Sequence, residues 1–136
     1  MFRKKKNNFN VDTLIDSGMK INGHTEVSGG LRLDGKIYGD LNFKEDKPGA
    51  IVIGESGLLE GNLAVPTAVI AGKVLGNIIA SEYLEIESTG IVEEDISYNL
   101  IEIHAGAKVK GIMIKLGKTQ ADKAKKINKE KKLIKF

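Results

Sequence analysis

The feature that most constrains this chain is a repeat of about 17 residues, which fills its middle part. Within each copy, apolar residues and glycines occupy alternate positions, as in the segment LRLDGKIYGDLNF at 31–43. A weaker first copy precedes it, with Ile21 placed 16 residues before Ile37. The chain therefore holds about six copies. Equivalent residues in the later copies follow at intervals of 20, 17, 16 and 17 positions: Leu33, Ile53, Ile70, Ile86 and Ile103.

Alternation with a period of two residues indicates β-strands with one buried face. A unit of about 17 residues with three short strands cannot bury its own apolar face, but it can do so by stacking on copies of itself. The repeat thus predicts an all-β, single-domain parallel β-helix, in which each copy forms one coil. Six coils at a strand spacing of about 4.8 Å give a rod roughly 29 Å long.

Glycines recur where the chain must turn between strands. Glycines at these corners can adopt positive φ, and they keep the turn free of a Cβ atom. The longest interval between copies contains the segment 45–49, which we predict to be a surface loop. The alternative is an antiparallel meander, since Asn22-Gly23 and Asp34-Gly35 are good hairpin dipeptides. The predicted structural glycines are Gly23, Gly35, Gly39, Gly61, Gly72, Gly76 and Gly111.

Length and composition restrict the class of protein. The 136 residues suffice for one domain, and they contain no cysteine for disulfides or thiolate metal sites. No run of roughly 20 apolar residues is present. No apolar segment follows residues 3–6, so no signal peptide is expected. The charge is segregated: +4 in residues 1–10, −7 in 11–115 and +6 in 116–136, which sum to the net +3. We therefore divide the chain into a basic tail at 1–11, a repeat domain at 12–116 and a lysine-rich tail at 117–136.

The two ends of a β-helix expose strand edges and a cross-section of the apolar core, and such edges promote association. Soluble monomeric solenoids cover them with polar capping units. No strong cap is evident at 11–15 or at 112–116, so we predict end-to-end polymerisation. The alternative is that the tails fold over the ends. The predicted interface residues are Leu14, Ile15, Ile21, Val27, Ile101, Ile103, Val109, Met113 and Ile114.

The N-terminal segment combines two large apolar side chains with four cations. Such a segment inserts weakly and reversibly at an anionic bilayer surface, because it has both an apolar and an electrostatic contribution. The alternatives are a solvated, disordered tail or, less favoured because the repeat domain is acidic, non-specific contact with nucleic acid. The C-terminal tail at 117–136 has the composition of a disordered basic segment. The predicted membrane-binding residues are Met1, Phe2, Arg3, Lys4, Lys5 and Lys6.

The sequence contains no recognisable motif for catalysis or cofactor binding. The glycine-rich loop that binds nucleotide phosphates is missing, so we expect assembly without nucleotide. Neither His24 nor His104 lies in a metal-ligand spacing, and the acidic run 93–95 is interpreted as a solvated corner. The sequence therefore predicts no catalytic, cofactor or metal site, and a protein that is not an enzyme.

Residues 12–41 resemble the beginning of a bactofilin domain. That family begins with threonine-leucine-isoleucine, matched here at 13–15, and continues with Gly-Leu-Arg-Ile-Asp-Gly-x-Val-x-Gly, which 30–39 closely match. The resemblance extends over about residues 12–115. The departures are Asp16 and Glu94, which stand where the family usually has glycine.

The resemblance implies a right-handed β-helix and a bacterial cytoskeletal protein that polymerises without nucleotide. Its filaments would be apolar in the structural sense, which means that their two ends are equivalent. It also implies disordered tails and a short membrane-targeting segment, which residues 1–6 resemble. Such a scaffold would lie at the inner face of the cytoplasmic membrane and position cell-wall or polarity proteins, with no specific nucleic acid. The alternatives are a monomeric β-helical adaptor and, less favoured because its repeat is strictly six residues, a hexapeptide-type acyltransferase.

Overall fold

The computed structural model describes residues 10–117, and within them every regular element is a β-strand. All strand pairs are parallel, which confirms the β-helix and excludes the antiparallel meander. The strands are β1 Thr13–Ile15, β2 Lys20–Asn22, β3 Thr25–Val27, β4 Gly30–Leu33, β5 Lys36–Tyr38, β6 Leu41–Phe43, β7 Ala50–Ile53, β8 Leu58–Glu60, β9 Leu63–Ile70, β10 Lys73–Val74, β11 Ile78–Ile86, β12 Ile91–Val92, β13 Ile96–Ile103, β14 Lys108–Val109 and β15 Met113–Lys115.

The strands stack into six coils with three faces. The first face contains β1, β4 and β7 and continues through the second halves of β9, β11 and β13. The second face is the sheet formed by β2, β5, β8, β10, β12 and β14. The third face contains β3 and β6, the first halves of the same three long strands, and β15. The long strands therefore bend across a corner and belong to two consecutive coils.

The register confirms the repeat alignment residue by residue. Leu33 pairs with Ile53, Ile53 with Ile70, Ile70 with Ile86, and Ile86 with Ile103. Each such set of stacked, inward-facing residues is called an interior column here. Because side chains alternate across a strand, keeping this register keeps every apolar side chain inside the rod.

The interior columns form one continuous apolar core. Leucine, isoleucine and valine fill it from coil 2 to coil 5, and most of these side chains are fully buried. Phe43 is the buried aromatic ring of this core within the described residues. Stiff β-branched side chains suit such a stack, since each one packs on the equivalent residue of the next coil. The segment 44–49 between β6 and β7 has no strand structure, as predicted for the surface loop.

The corner glycines are required mainly for close approach of the backbone. Of the seven predicted positions, Gly23 and Gly39 use the positive φ that glycine allows, and the other five do not. A Cβ atom on Gly61 would overlap the carbonyl oxygen of Gly39, and one on Gly76 would overlap that of Gly61. Glu94 occupies the equivalent corner position in the next coil, and its φ is not positive. Successive coils thus stack too closely at Gly61 and Gly76 to leave room for a Cβ atom.

Directly after this glycine corner, side-chain amides and carboxylates connect the coils. Each of four Asx residues accepts a hydrogen bond through Oδ1 from the backbone N–H at the equivalent position of the next coil, at 2.9–3.0 Å. This ladder satisfies backbone donors that would otherwise have no strand partner at the corner. Its acceptors are Asp40, Asn62, Asn77 and Asp95.

Candidate assembly surfaces

The C-terminal end of the rod exposes the apolar interior. Ile103 and Met113 end two interior columns, and they are 42% and 45% exposed. Ile101 and Val109 end two more, and they are half-buried. No further coil covers these side chains within the described residues, although their partners in coil 5 are fully buried.

The corner ladder also ends here. Its last acceptor, Asp95, binds the N–H of Ile112. Ile112 has no side-chain oxygen to continue the ladder, and it is exposed. The final coil therefore presents an apolar residue where the four preceding coils carry a polar one.

The N-terminal end is less apolar. Thr13 stands in the interior column of Leu31, and Thr25 in that of Leu41. Ile15 and Val27 are buried even in the first coil, whereas Ile21 is half-buried. Threonine tolerates water better than leucine or isoleucine does, so this end of the core is less costly to expose.

The structure divides the predicted interface residues into three groups. Ile21, Ile101, Ile103, Val109 and Met113 are interior residues that remain partly accessible at the two ends. Ile15 and Val27 are interior but covered. Leu14 and Ile114 are exposed at 58% and 46%, but they pair with the outward-facing Arg32 and Ser97 and so lie on the sides of the rod.

Both ends also carry strand edges. In the part of the chain at 10–117, β1, β2 and β3 each pair on one side only, and so do β14 and β15. Their outer backbone groups point along the rod axis and are available to another parallel or antiparallel strand. Apolar columns and strand edges thus coincide at the same two surfaces.

A group of interacting titratable side chains lies on the outside of coils 5 and 6. Glu85 and Glu102 are register partners on the first face, and His104 follows two residues later. The His104 Nε2 atom is 2.7 Å from Glu85 Oε2 and 3.4 Å from Glu102 Oε2. The Glu87 Oε1 atom is 3.7 Å from the same nitrogen. Three carboxylates therefore surround one imidazole nitrogen.

Tyr83 holds the two nearest carboxylates from the other side. Its hydroxyl lies 3.1 Å from Glu85 Oε1 and 3.0 Å from Glu102 Oε1, within reach to donate to either. Desolvation and the neighbouring carboxylates raise the pKa of Tyr83 well above its usual range, which keeps this hydroxyl protonated. Glu85 is only 1% exposed, although its position faces outward.

His104 lies in no metal-ligand spacing along the chain, but stacking of the coils brings it next to carboxylates of coils 5 and 6. Glu85, Glu102 and His104 form a group that could hold a metal ion. Spacing along the chain does not reveal the group, because Glu85 and His104 are 19 residues apart and meet only through stacking.

The acidic run 93–95, in contrast, is a corner as predicted: Glu93 pairs with Lys110, and Asp95 belongs to the corner ladder.

The predicted membrane-binding residues, Met1 to Lys6, lie outside the described residues, as does nearly all of the C-terminal tail. Within residues 10–117, no helix exists that is long and apolar enough to cross a membrane.

Comparison with known proteins identifies the family. A family model named bactofilin, described as polymer-forming cytoskeletal, matches residues 13–113. This chain belongs to the bactofilin family. It is 32% identical over 101 residues to bactofilin BacO of Myxococcus xanthus, covering 74% of this chain and 77% of BacO. It is 30% identical over 103 residues to bactofilin BacP of the same organism, covering 75% of this chain but only 41% of BacP.

A solved structure supports the fold of this bactofilin. It is the cryo-EM reconstruction of double helical filaments of Thermus thermophilus bactofilin, matched with a TM-score of 0.63 and 19% identity over 74% of this chain and 98% of the other. The family predicted from the resemblance and the β-helix predicted from the repeat are thereby confirmed. As a member of a polymer-forming cytoskeletal family, this bactofilin is a structural protein by class.

Proposed function

We propose that this bactofilin is a scaffold that polymerises through the ends of its β-helix, without nucleotide, into filaments attached to the inner face of the cytoplasmic membrane. There it positions cell-shape or cell-wall machinery. The observation that carries the proposal is the exposure of interior columns at the C-terminal end, where Ile103 and Met113 lack a covering coil in the described structure.

End-to-end contact removes this exposure. Burial of apolar surface contributes roughly 25 cal/mol per Å², and a second coil end would cover the columns that end at Ile101, Ile103, Val109 and Met113. The strand edges at the same surface would gain hydrogen-bond partners in the same contact. The less apolar N-terminal end would form the second, weaker contact through the column of Ile21.

Membrane attachment is assigned to the segment Met1–Lys6. Inserting Met1 and Phe2 is worth roughly 1.5–3 kcal/mol each, and each of four cations adds about 1 kcal/mol near acidic lipid. After the cost of ordering the segment, one tail binds reversibly. A filament carries many such tails, which makes attachment depend on assembly.

Negative-stain microscopy of the purified chain, with and without ATP or GTP, tests the proposal. Filaments of equal length and number under both conditions are expected, because no phosphate-binding loop is present in the sequence. A single species whose sedimentation does not change with concentration would instead establish a monomeric adaptor. Filaments that form only with nucleotide would also contradict the proposal.

A further inference from the structure

The cluster on the outside of coils 5 and 6 has the geometry of a metal-binding site. Glu85 and Glu102 each direct Oε1 toward the Tyr83 hydroxyl and Oε2 toward His104 Nε2. The ligand atoms of Glu85, Glu102 and His104 all lie within 4.8 Å of one another. In a tetrahedral site with bonds of about 2.0–2.2 Å, ligand atoms are about 3.3–3.6 Å apart. The observed 2.7 and 3.4 Å require only small side-chain movements to reach these values.

One proton on His104 Nε2 cannot form a hydrogen bond to each of the carboxylates that lie around this nitrogen. An imidazole nitrogen carries at most one proton, so it can donate to one of the three carboxylates around it. A divalent cation attracts several oxygens and the nitrogen lone pair at once. The burial of the Glu85 carboxylate strengthens this argument, because a buried charge needs close compensation.

The donor set selects the kind of cation. One imidazole nitrogen with two carboxylate oxygens suits Zn²⁺ and related transition ions, whereas Mg²⁺ and Ca²⁺ prefer oxygen ligands alone. Tyr83 can donate its hydroxyl proton to one of the two carboxylates and so orient it, as outer residues do in metal sites. Glu87, at 3.7 Å from Nε2, lies close enough to supply a further oxygen.

We propose that Glu85, Glu102 and His104 bind a divalent transition-metal ion of the Zn²⁺ class. Because Glu85 belongs to coil 5 and the other two ligands to coil 6, the ion fastens the terminal coil to the coil below it. Coil 6 is the coil that ends in the exposed columns of Ile103 and Met113. The site therefore stabilises the surface at which this bactofilin is proposed to assemble, although metal binding itself does not depend on assembly.

Equilibrium dialysis of the full chain, first treated with EDTA and then exposed to Zn²⁺, tests the proposal by elemental analysis. We expect one Zn²⁺ per chain. The variants His104→Gln and Glu102→Gln should bind at least about tenfold more weakly, and Tyr83→Phe about 10–100-fold more weakly, as for other outer residues of metal sites. The matched control is His24→Gln, which changes the other histidine of the chain and should leave binding unchanged. Co²⁺ in place of Zn²⁺ should give visible absorption bands typical of a tetrahedral site.

Thermal unfolding in EDTA shows whether each variant is folded. Added Zn²⁺ should then raise the unfolding midpoint of the wild type and of His24→Gln, but not that of His104→Gln, because only a native state with the intact site gains from binding. Equal Zn²⁺ binding by wild type and by folded His104→Gln would overturn the proposal. So would full competition by equimolar Mg²⁺, since that result would indicate general binding to carboxylates.

Discussion

Ile86 and Ile103 are register partners on consecutive coils, but Ile86 is fully buried whereas Ile103 is 42% exposed. The two residues have the same side chain, both lie in β-strands and both point inward. They differ only in what lies beyond them along the rod axis: coil 6 covers Ile86, and no coil of the described structure covers Ile103. The exposed end of the core is thus complementary to a surface built like another coil.

Met113→Arg should abolish filaments, because a charge in the interior column would be buried at the contact without a partner and cost several kcal/mol. Ile114→Arg is the matched comparison: the neighbouring side chain is exposed to the same degree, but it lies on the side of the rod. Pelleting and negative-stain microscopy should show filaments for Ile114→Arg and few for Met113→Arg. Equal polymerisation by both folded variants would exclude the C-terminal end as an interface.

Ile21→Arg tests the other end. Ile21 is half-buried in the first coil and pairs with the fully buried Ile37. In the apolar filaments that the resemblance implies, C-terminal ends meet C-terminal ends and N-terminal ends meet N-terminal ends. Ile21→Arg should then stop growth at dimers joined through the intact C-terminal ends. Sedimentation velocity distinguishes these dimers from monomers and long polymers. Long filaments formed by the folded variant would show that the N-terminal end is not part of the polymer contact.

The corner glycines predict a selective effect on stability. Gly61→Ala places a Cβ atom against the carbonyl of Gly39, whereas Gly18→Ala meets no atom within 4 Å. We expect Gly61→Ala to lower the free energy of unfolding by about 1–3 kcal/mol, as overpacking does elsewhere. Gly18→Ala should stay within about 0.5 kcal/mol of wild type. Thermal denaturation of the two variants measures the difference, and coincident curves would show that the corner can expand to accept a methyl group.

The interior of the rod was predictable from sequence because one apolar register repeats through all copies. The intervals between Leu33, Ile53 and Ile70 predict the strand pairing directly. In a parallel stack, residues at equivalent positions of successive repeats are register partners. The asymmetry of the ends was harder to recognise. Thr13 and Thr25 stand in interior columns. Because the first copy of the repeat is weakly conserved in pattern, the sequence alone does not show that these two threonines face inward.

The group formed by Glu85, Glu102 and His104 was not predicted, for a different reason. Metal-ligand motifs are short spacings within one loop, whereas this group joins residues of two coils. The repeat also relates outward-facing residues of neighbouring coils. Glu85 and Glu102 are 17 residues apart, the length of one coil, so the repeat predicts that they are adjacent. The burial of Glu85 could not be predicted in this way, because it depends on neighbouring side chains and not on alternation.

Membrane binding should depend on both the N-terminal segment and polymerisation. Linked weak sites gain roughly 10²–10⁴-fold in avidity over a single site. Wild-type filaments should therefore co-sediment with anionic liposomes, whereas the assembly-defective Met113→Arg should bind far less despite carrying an identical tail. Deleting Met1 and Phe2, or replacing Lys4, Lys5 and Lys6 with glutamine, should release intact filaments from the lipid.

Salt and a second deletion separate the contributions to this binding. The cationic part should weaken as salt rises, because exposed charges are screened over about 10 Å at 0.1 M, while the part due to Met1 and Phe2 should persist. A chain that ends at Leu116 should bind liposomes like the wild type. If that truncation alone abolishes binding, the lysine-rich tail is the anchor, and the assignment to Met1–Lys6 is wrong. If neither deletion has an effect on lipid binding, the two basic tails do not attach the filament to the membrane.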